Sequence, residues 1–479
     1  MERGFGLMVH ITSIESQEGY GCFSKEAYSF VDFLKICGAK YWQVLPINPV
    51  DEYNCPYKNS SLRAINPLLI SLEKYFDKTK LFEMGFKKGI SFEEYSKLKM
   101  KALKVLFKKH KISNAEKNFQ KSNKNWLEDY ALFMALKDVC DCEIRKFPKD
   151  ILLKKKSTFN LFISENKKII DFYKFVQYLA FKQWEELKAY ANEKGIKIIG
   201  DMPFSPDSES DEVFANEKNF QSQNGKPTFV AGVPKDYFNK DGQVWGNPVY
   251  DVKTIKENNY KFLLDKFKHF EKLFDYVRVD HFRGYESFYK IPASTLLAKD
   301  GKWEKSFGYP LFKILKENKL NNLILEDLGS IDEKVISLKK KTGLPSMRVF
   351  QFGFDGNSQN PHLPENYDKN SIAYIGTHDN NTFCGFLSDK KAKEDVKRYF
   401  RTESDDDKQL TYLALEAIMA SSADVAIIMP QDLLCQGEAY RINTPGKIKT
   451  KNWNYKLPRK IFDDNIFSYL ISSAKIHNR

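Results

Sequence analysis

The chain is 479 residues long, with 42 % hydrophobic and 14 % aromatic residues, which supplies a large core and excludes disorder as the dominant state. Mean hydropathy is −0.52, no apolar run approaches the roughly 18 residues of a membrane span, and the opening Met1-Glu2-Arg3-Gly4-Phe5-Gly6 lacks a secretion-signal core, which points to the cytoplasm. The formal charge is +13, yet residues 80–168 alone hold 22 Lys and Arg against 11 Asp and Glu, so lysine-faced helices rather than a nucleic-acid surface account for it.

Short apolar or β-branched runs predict eight strands, at 6–12, 41–47, 196–202, 276–282, 322–328, 347–354, 372–379 and 425–431. Amphipathic helices are predicted at 24–38, 175–195, 259–274, 306–320, 332–343, 394–400 and 408–421. The stretch 354–371, rich in Asn, Pro and Gly, predicts no helix. Strand–helix alternation repeated eight times favours a closed (β/α)8 barrel, with residues 1–479 as one catalytic unit. Two long interruptions follow strands, and barrel active sites lie on the rim where such interruptions emerge. One, 71–172, is Lys-rich and helical; Phe92, Tyr95, Leu98, Ala102 and Leu106 mark a buried stripe, with the lysines on wet faces. The other, 203–251, reads as an active-site lid or as an ordinary loop in which Trp245 plugs a gap.

Four predicted strands end in an acid: Asp201, Asp280, Glu326 and Asp379. Carboxyl groups beside Val, Ile and Leu are costly unless paired or used, and four on one rim suggest use. Asp327 and Asp432 read instead as helix N-caps. Arg278 and Asp280 are two apart on one strand, so they share a face, and a fixed guanidinium there favours a charged carboxylate, as a nucleophile requires. Glu326 has no cation within two residues and suits a proton donor. Such a split pair is the working part of glycoside chemistry, with Asp379 free to hold hydroxyls. His10, His281 and His378 each read as a hydrogen-bonded core or rim histidine rather than a metal ligand. No H-E-x-x-H string, paired-Cys framework or Gly-rich phosphate loop occurs, so neither a metal nor a nucleotide cofactor is expected. The seven Cys, with Cys140 and Cys142 spaced C-x-C, read as free thiols.

Several strings together resemble the 4-α-glucanotransferases of glycoside hydrolase family 77, the amylomaltases or disproportionating enzymes. They are Trp42-Gln43-Val44-Leu45-Pro46, Pro56-Tyr57, Gly200-Asp201-Met202-Pro203, the segment 232–248, Arg278-Val279-Asp280-His281-Phe282-Arg283-Gly284, Glu326-Asp327-Leu328-Gly329, Thr377-His378-Asp379-Asn380-Asn381-Thr382 and Asn443-Thr444-Pro445-Gly446. The likeness runs from Gly6 to about Tyr455, with 74–168 alike only in character. It implies a barrel with insertions and a retaining double displacement that passes part of an α-1,4-glucan or maltooligosaccharide to the 4-hydroxyl of another. By motif, Asp280 would be the nucleophile, Glu326 the general acid/base and Asp379 the transition-state stabiliser. Tyr57, Asp201, Asp236, Gln243, Trp245, Arg278, His378 and Asn443 would line the sugar subsites. Hydrolysis through the same acids stays open as an alternative, as does glucan binding without catalysis. The chain departs from the family pattern at Ser16, Cys22, Lys25, Cys55, Leu62-Arg63-Ala64-Ile65 and Phe214, positions expected at outer subsites.

Overall fold

A computed structural model describes residues 1–479 except 224, 236–240 and 448–450. Eight strands close a barrel: β1 (Gly4–Met8), β2 (Tyr41–Gln43), β3 (Lys197–Met202), β4 (Tyr276–Val279), β5 (Leu323–Leu325), β6 (Ser346–Val349), β7 (Ser371–Tyr374) and β8 (Val425–Ile428). Each pairs in parallel with its sequence neighbours, and β1 with β8 completes the ring. Alternation explains why the runs are apolar throughout. Tyr41, Ile199, Ile324, Ile372 and Ile427 fill the barrel, while Trp42, Ile198, Leu325, Ala373 and Ala426 pack outward against helices. Gly200 is needed for that outward packing, since a Cβ there would lie 2.2 Å from the Phe274 ring.

The predicted helices are present, at Lys25–Ile36, Lys261–Leu273, Tyr309–Glu317, Glu333–Thr342, Lys390–Phe400 and Asp407–Ala420, the fifth starting four residues before its predicted start at 394. The helix before β3 runs over Lys167–Glu193, 27 residues, so the expected insertion boundary at Phe172 falls inside it. Its first turns pack in the insertion and its last turns against the barrel. The helix Lys124–Cys140 lies on it through Trp126, Tyr130 and Ala131, with the Trp126 ring 5.4 Å from that of Phe181. Between β6 and β7 there are only 3-10 turns, Phe350–Phe352 and Pro364–Asn366.

Two expectations for polar residues are corrected. Lys99, on the helix Phe92–Lys109, is fully buried rather than wet. It pairs with the equally buried Glu18 and donates to the Ile70 carbonyl at 2.5 Å. Glu18 in turn accepts from the Leu72 amide at 2.8 Å, so the pair staples the insertion to the N-terminal rim. Lys99→Met is expected to cost about 3–5 kcal/mol in urea unfolding by stranding the Glu18 charge, with part regained in a Lys99→Met/Glu18→Leu double variant. Neither Asp327 nor Asp432 is the N-cap of the helix beside it, where Asp332 and Met429 stand. Asp327 accepts from Lys339 at 2.8 Å and from the Met347 amide at 3.2 Å, tying β5 to β6. Asp432 lies inside the short helix Pro430–Leu433 and accepts from the Phe383 amide at 2.8 Å.

The segment 203–251 is neither a plain loop nor self-contained. Its strands Phe229–Val233 and Gln243–Pro248 join Ser287–Pro292 and Lys302–Lys305, from after β4, in a four-stranded antiparallel sheet. Val230, Tyr289, Ile291 and Ala298 give that sheet its own small core.

Candidate active site

A cleft of about 1040 Å³ opens on the rim at the C-terminal ends of the strands. Tyr57, Gln243, Trp245, Arg278, Asp280, Glu326, Asp379 and Asn443 all line it. Residues 150 and more apart in sequence therefore meet because each follows or ends a barrel strand or the adjoining sheet. Asp236 lies outside the described residues.

Arg278 organises the floor. It is the register partner of Asp201 on the neighbouring strand, and both side chains point the same way. Its Nη1 donates to both Asp201 oxygens at 2.8 Å and reaches Asp280 Oδ1 at 2.9 Å. Arg278 is 5 % exposed and Asp201 not at all, whereas 24 % of the Asp280 side chain remains open to the cleft. One immobile cation thus anchors a structural carboxylate behind it and a reachable one in front. Burial raises the Asp201 carboxyl, and the Arg278 charge opposes that rise.

Glu326 directly follows the neighbouring strand β5. The His281 amide donates to its Oε2 at 2.7 Å and the Leu328 amide to its Oε1 at 3.1 Å. His281, directly after Asp280, adopts φ +49°, a left-handed turn sparsely used by residues with a Cβ. The Trp245 ring, 4.8 Å away and edge-on, and Phe204, 5.7 Å away, hold that turn. Burial pushes the Glu326 carboxyl from its ordinary 4.5 up to about 8; Arg278 opposes the rise and the Asp280 charge adds to it. Two carboxyl groups joined through adjacent backbone thus have unlike surroundings, one against a guanidinium and one held protonated at neutral pH.

Asp379 is built differently. Asn443 donates to its Oδ1 at 2.6 Å, and His378 Nε2 lies 3.3 Å from Oδ2. Burial would raise this carboxyl, but His378, the Asn443 bond and Arg278 together hold it well below the usual carboxylate range, while 43 % of the side chain stays open. Tyr57 links the two halves of the floor: its hydroxyl donates to Asp201 Oδ2 at 2.7 Å and meets His378 Nε2 at 2.8 Å. With the single hydroxyl hydrogen committed to Asp201, the tautomer that fits has the proton on His378 Nε2, directed at the Tyr57 oxygen, with Asp379 Oδ2 at the longer distance. The Tyr57 and His378 rings stack 5.5 Å apart.

Asp201 and His378, expected to touch sugar, do not line the cleft among the described residues; they are 0 % and 2 % exposed and act through Arg278, Tyr57 and Asp379. The departures expected at outer subsites are also mostly elsewhere. Of them, Cys55 lines the cleft, while Ser16, Cys22, Leu62, Arg63, Ala64, Ile65 and Phe214 are buried in packing and Lys25 is exposed. Sequence reasoning missed Arg441 and Trp453. Arg441 donates to the Asp379 carbonyl at 2.5 Å, and the Trp453 ring lies 5.7 Å from that of Tyr57. Neither falls in a periodic or motif-like setting, so only their proximity to Asn443 could have signalled them. Among the described residues, no group of three or more His, Cys, Asp or Glu is placed to hold a metal ion, and no helix is long and apolar enough to cross a membrane.

Comparison with known proteins identifies the family. The family model described as 4-alpha-glucanotransferase matches residues 9–461. A 4-alpha-glucanotransferase of Clostridium butyricum is 35 % identical over 489 residues, covering 98 % of this chain and all of the relative. One from Thermus thermophilus is 37 % identical over 95 % of each chain. Among solved structures, an amylomaltase from Streptococcus agalactiae in complex with acarbose superposes with a TM-score of 0.93 at 32 % identity, covering both chains fully. The chain therefore belongs to glycoside hydrolase family 77, the 4-alpha-glucanotransferases.

Proposed function

We propose that this chain carries out its family's 4-α-glucanotransferase reaction by a retaining double displacement in the cleft. Asp280, charge-paired to Arg278, attacks the anomeric carbon of an α-1,4-glucan. Glu326, carrying its proton, delivers it to the departing glycosidic oxygen. Asp280 is then bonded to the sugar, and the shortened glucan leaves. The 4-hydroxyl of an acceptor glucan replaces it, gives its proton back to Glu326, and takes the glycosyl group with retention. Asp379, charged and held by Asn443 and His378, faces the oxocarbenium-like transition state. Tyr57, Gln243, Trp245, Asp236 and Asn443 hold the sugar rings. The observation that carries this reading is the unlike pair: Asp280 on the Arg278 guanidinium and Glu326 pushed up to about 8 beside it.

Transfer and hydrolysis share these acids and differ in what resolves the covalent intermediate. Incubation with maltotriose separates them. A ladder of longer maltooligosaccharides is expected from transfer; glucose and maltose alone would mean that water is the acceptor. The seven free thiols fit a reducing compartment such as the cytoplasm.

A further inference from the structure

The cleft wall beyond Glu326 carries an aromatic ring with no part in the chemistry above. Trp303, on the strand Lys302–Lys305, lines the cleft and is 38 % exposed. Its register partner is Tyr289, whose ring meets it edge-on at 5.2 Å. The Arg283 guanidinium lies over the indole, 4.0 Å from the ring centre. Arg283 is itself fixed: it donates to the Ser330 carbonyl at 2.7 Å and to Asp332 at 3.0 Å. Its Nε is buried without a hydrogen-bond partner, so the guanidinium is oriented by these two bonds and the ring.

We propose that Trp303 is a stacking platform for a glucosyl unit of the leaving or acceptor chain beyond the first, and so sets preference for longer acceptors. The placement follows from connectivity. Arg283 comes three residues after Asp280, and Ser330 four residues after Glu326, so one guanidinium ties both acid-bearing loops to the indole. Glu326 faces the oxygen between donor and leaving sugar. Sugars on its side of the cleft are therefore those that depart and are later replaced by acceptor. The first such unit adjoins Glu326 itself; Ser330, Arg283 and Trp303 line the same cleft and are linked through the Arg283 contacts. A pyranose presents a face of polarised C–H bonds, which suits the electron-rich face of an indole held flat by neighbours.

This inference rests on the transferase reading and is tested separately from it. Transfer from a maltodextrin donor to labelled glucose and to labelled maltotriose is measured for the wild type, Trp303→Leu and Trp303→Tyr. The ratio of kcat/KM for maltotriose to that for glucose is expected to fall about tenfold in the leucine variant, through KM, and to stay within about twofold in the tyrosine variant. A merely structural role would lower both rates together and leave the ratio unmoved, and an unmoved ratio overturns the proposal. Should the leucine variant not fold, fluorine-19 NMR of protein containing 5-fluorotryptophan decides. The signal absent from Trp303→Tyr must shift on titration with maltotriose, and a stationary signal overturns the proposal. Absence of any ladder from the wild type would instead sink the transferase reading.

Discussion

Asp280→Asn is expected to lower kcat by about four orders of magnitude or more, because the amide has no anionic oxygen to form the glycosyl–enzyme bond. Its carbonyl oxygen still accepts from Arg278, so the floor stays assembled and the glucan still binds. Calorimetry with a maltooligosaccharide, beside a turnover assay on the same preparation, reads both halves of the expectation. Turnover close to wild type would remove Asp280 from the nucleophile's place. Loss of binding together with turnover would mean that the substitution collapsed the Arg278 network rather than the chemistry.

Glu326→Gln removes the proton rather than the nucleophile, and its expected signature is selective. With a glucan donor the rate should fall by about 10²–10⁴. With an α-maltosyl fluoride donor, whose leaving group needs no proton, the first step should recover most of its speed. In the wild type, kcat/KM with a glucan donor should fall as pH rises through about 8, where Glu326 loses its proton. The variant should lack that limb, and a limb that persists in it would assign the titration to another group. The same shift has a cost in stability. A folded-state value raised from 4.5 to about 8 makes the folded protein hold this proton more tightly, so the Glu326 contribution declines as pH rises across that window. Glutamine does not titrate, so the thermal midpoint of Glu326→Gln should gain on wild type from about pH 4.5 to 8 and then keep a constant lead.

Much of the barrel was legible because a strand buried on both faces has to be apolar at every position. The runs around Ile198, Val277, Ile324 and Val425 therefore stood out. Strand ends were overreached for the same reason. Leu45 and Ile47 remain buried beyond the Val44 amide, which makes the last ladder bond to the Ile199 carbonyl, so burial outlasts the hydrogen-bonded ladder. The acids were visible through position alone, since each lies at or within four residues of the end of an apolar run. What lay hidden depended on partners distant in sequence. Lys99 looks like any other lysine of its helix until Glu18 is found opposite, 81 residues away. Asp327 resembles a cap until Lys339 and Arg348 are seen around it. The sheet beside the cleft escaped because Gly232, Gly246 and Pro248 interrupt its β pattern, and because two of its strands arrive only after β4. That Asp201 and His378 stand behind the cleft wall is a matter of depth, which a motif does not encode.

The 27-residue helix Lys167–Glu193 bears on how this fold can be recombined. A chimera joined at residue 172 would sever a rod whose buried side includes Ile170, Phe172, Tyr173, Phe175 and Val176, and would have to match that stripe to a foreign cap. Crossovers at about Leu72 and Gly195 would carry the rod intact and exchange the whole lysine-rich lobe as one cassette. Even then Glu18 would remain in the host, so any incoming lobe needs its own buried cation to replace Lys99.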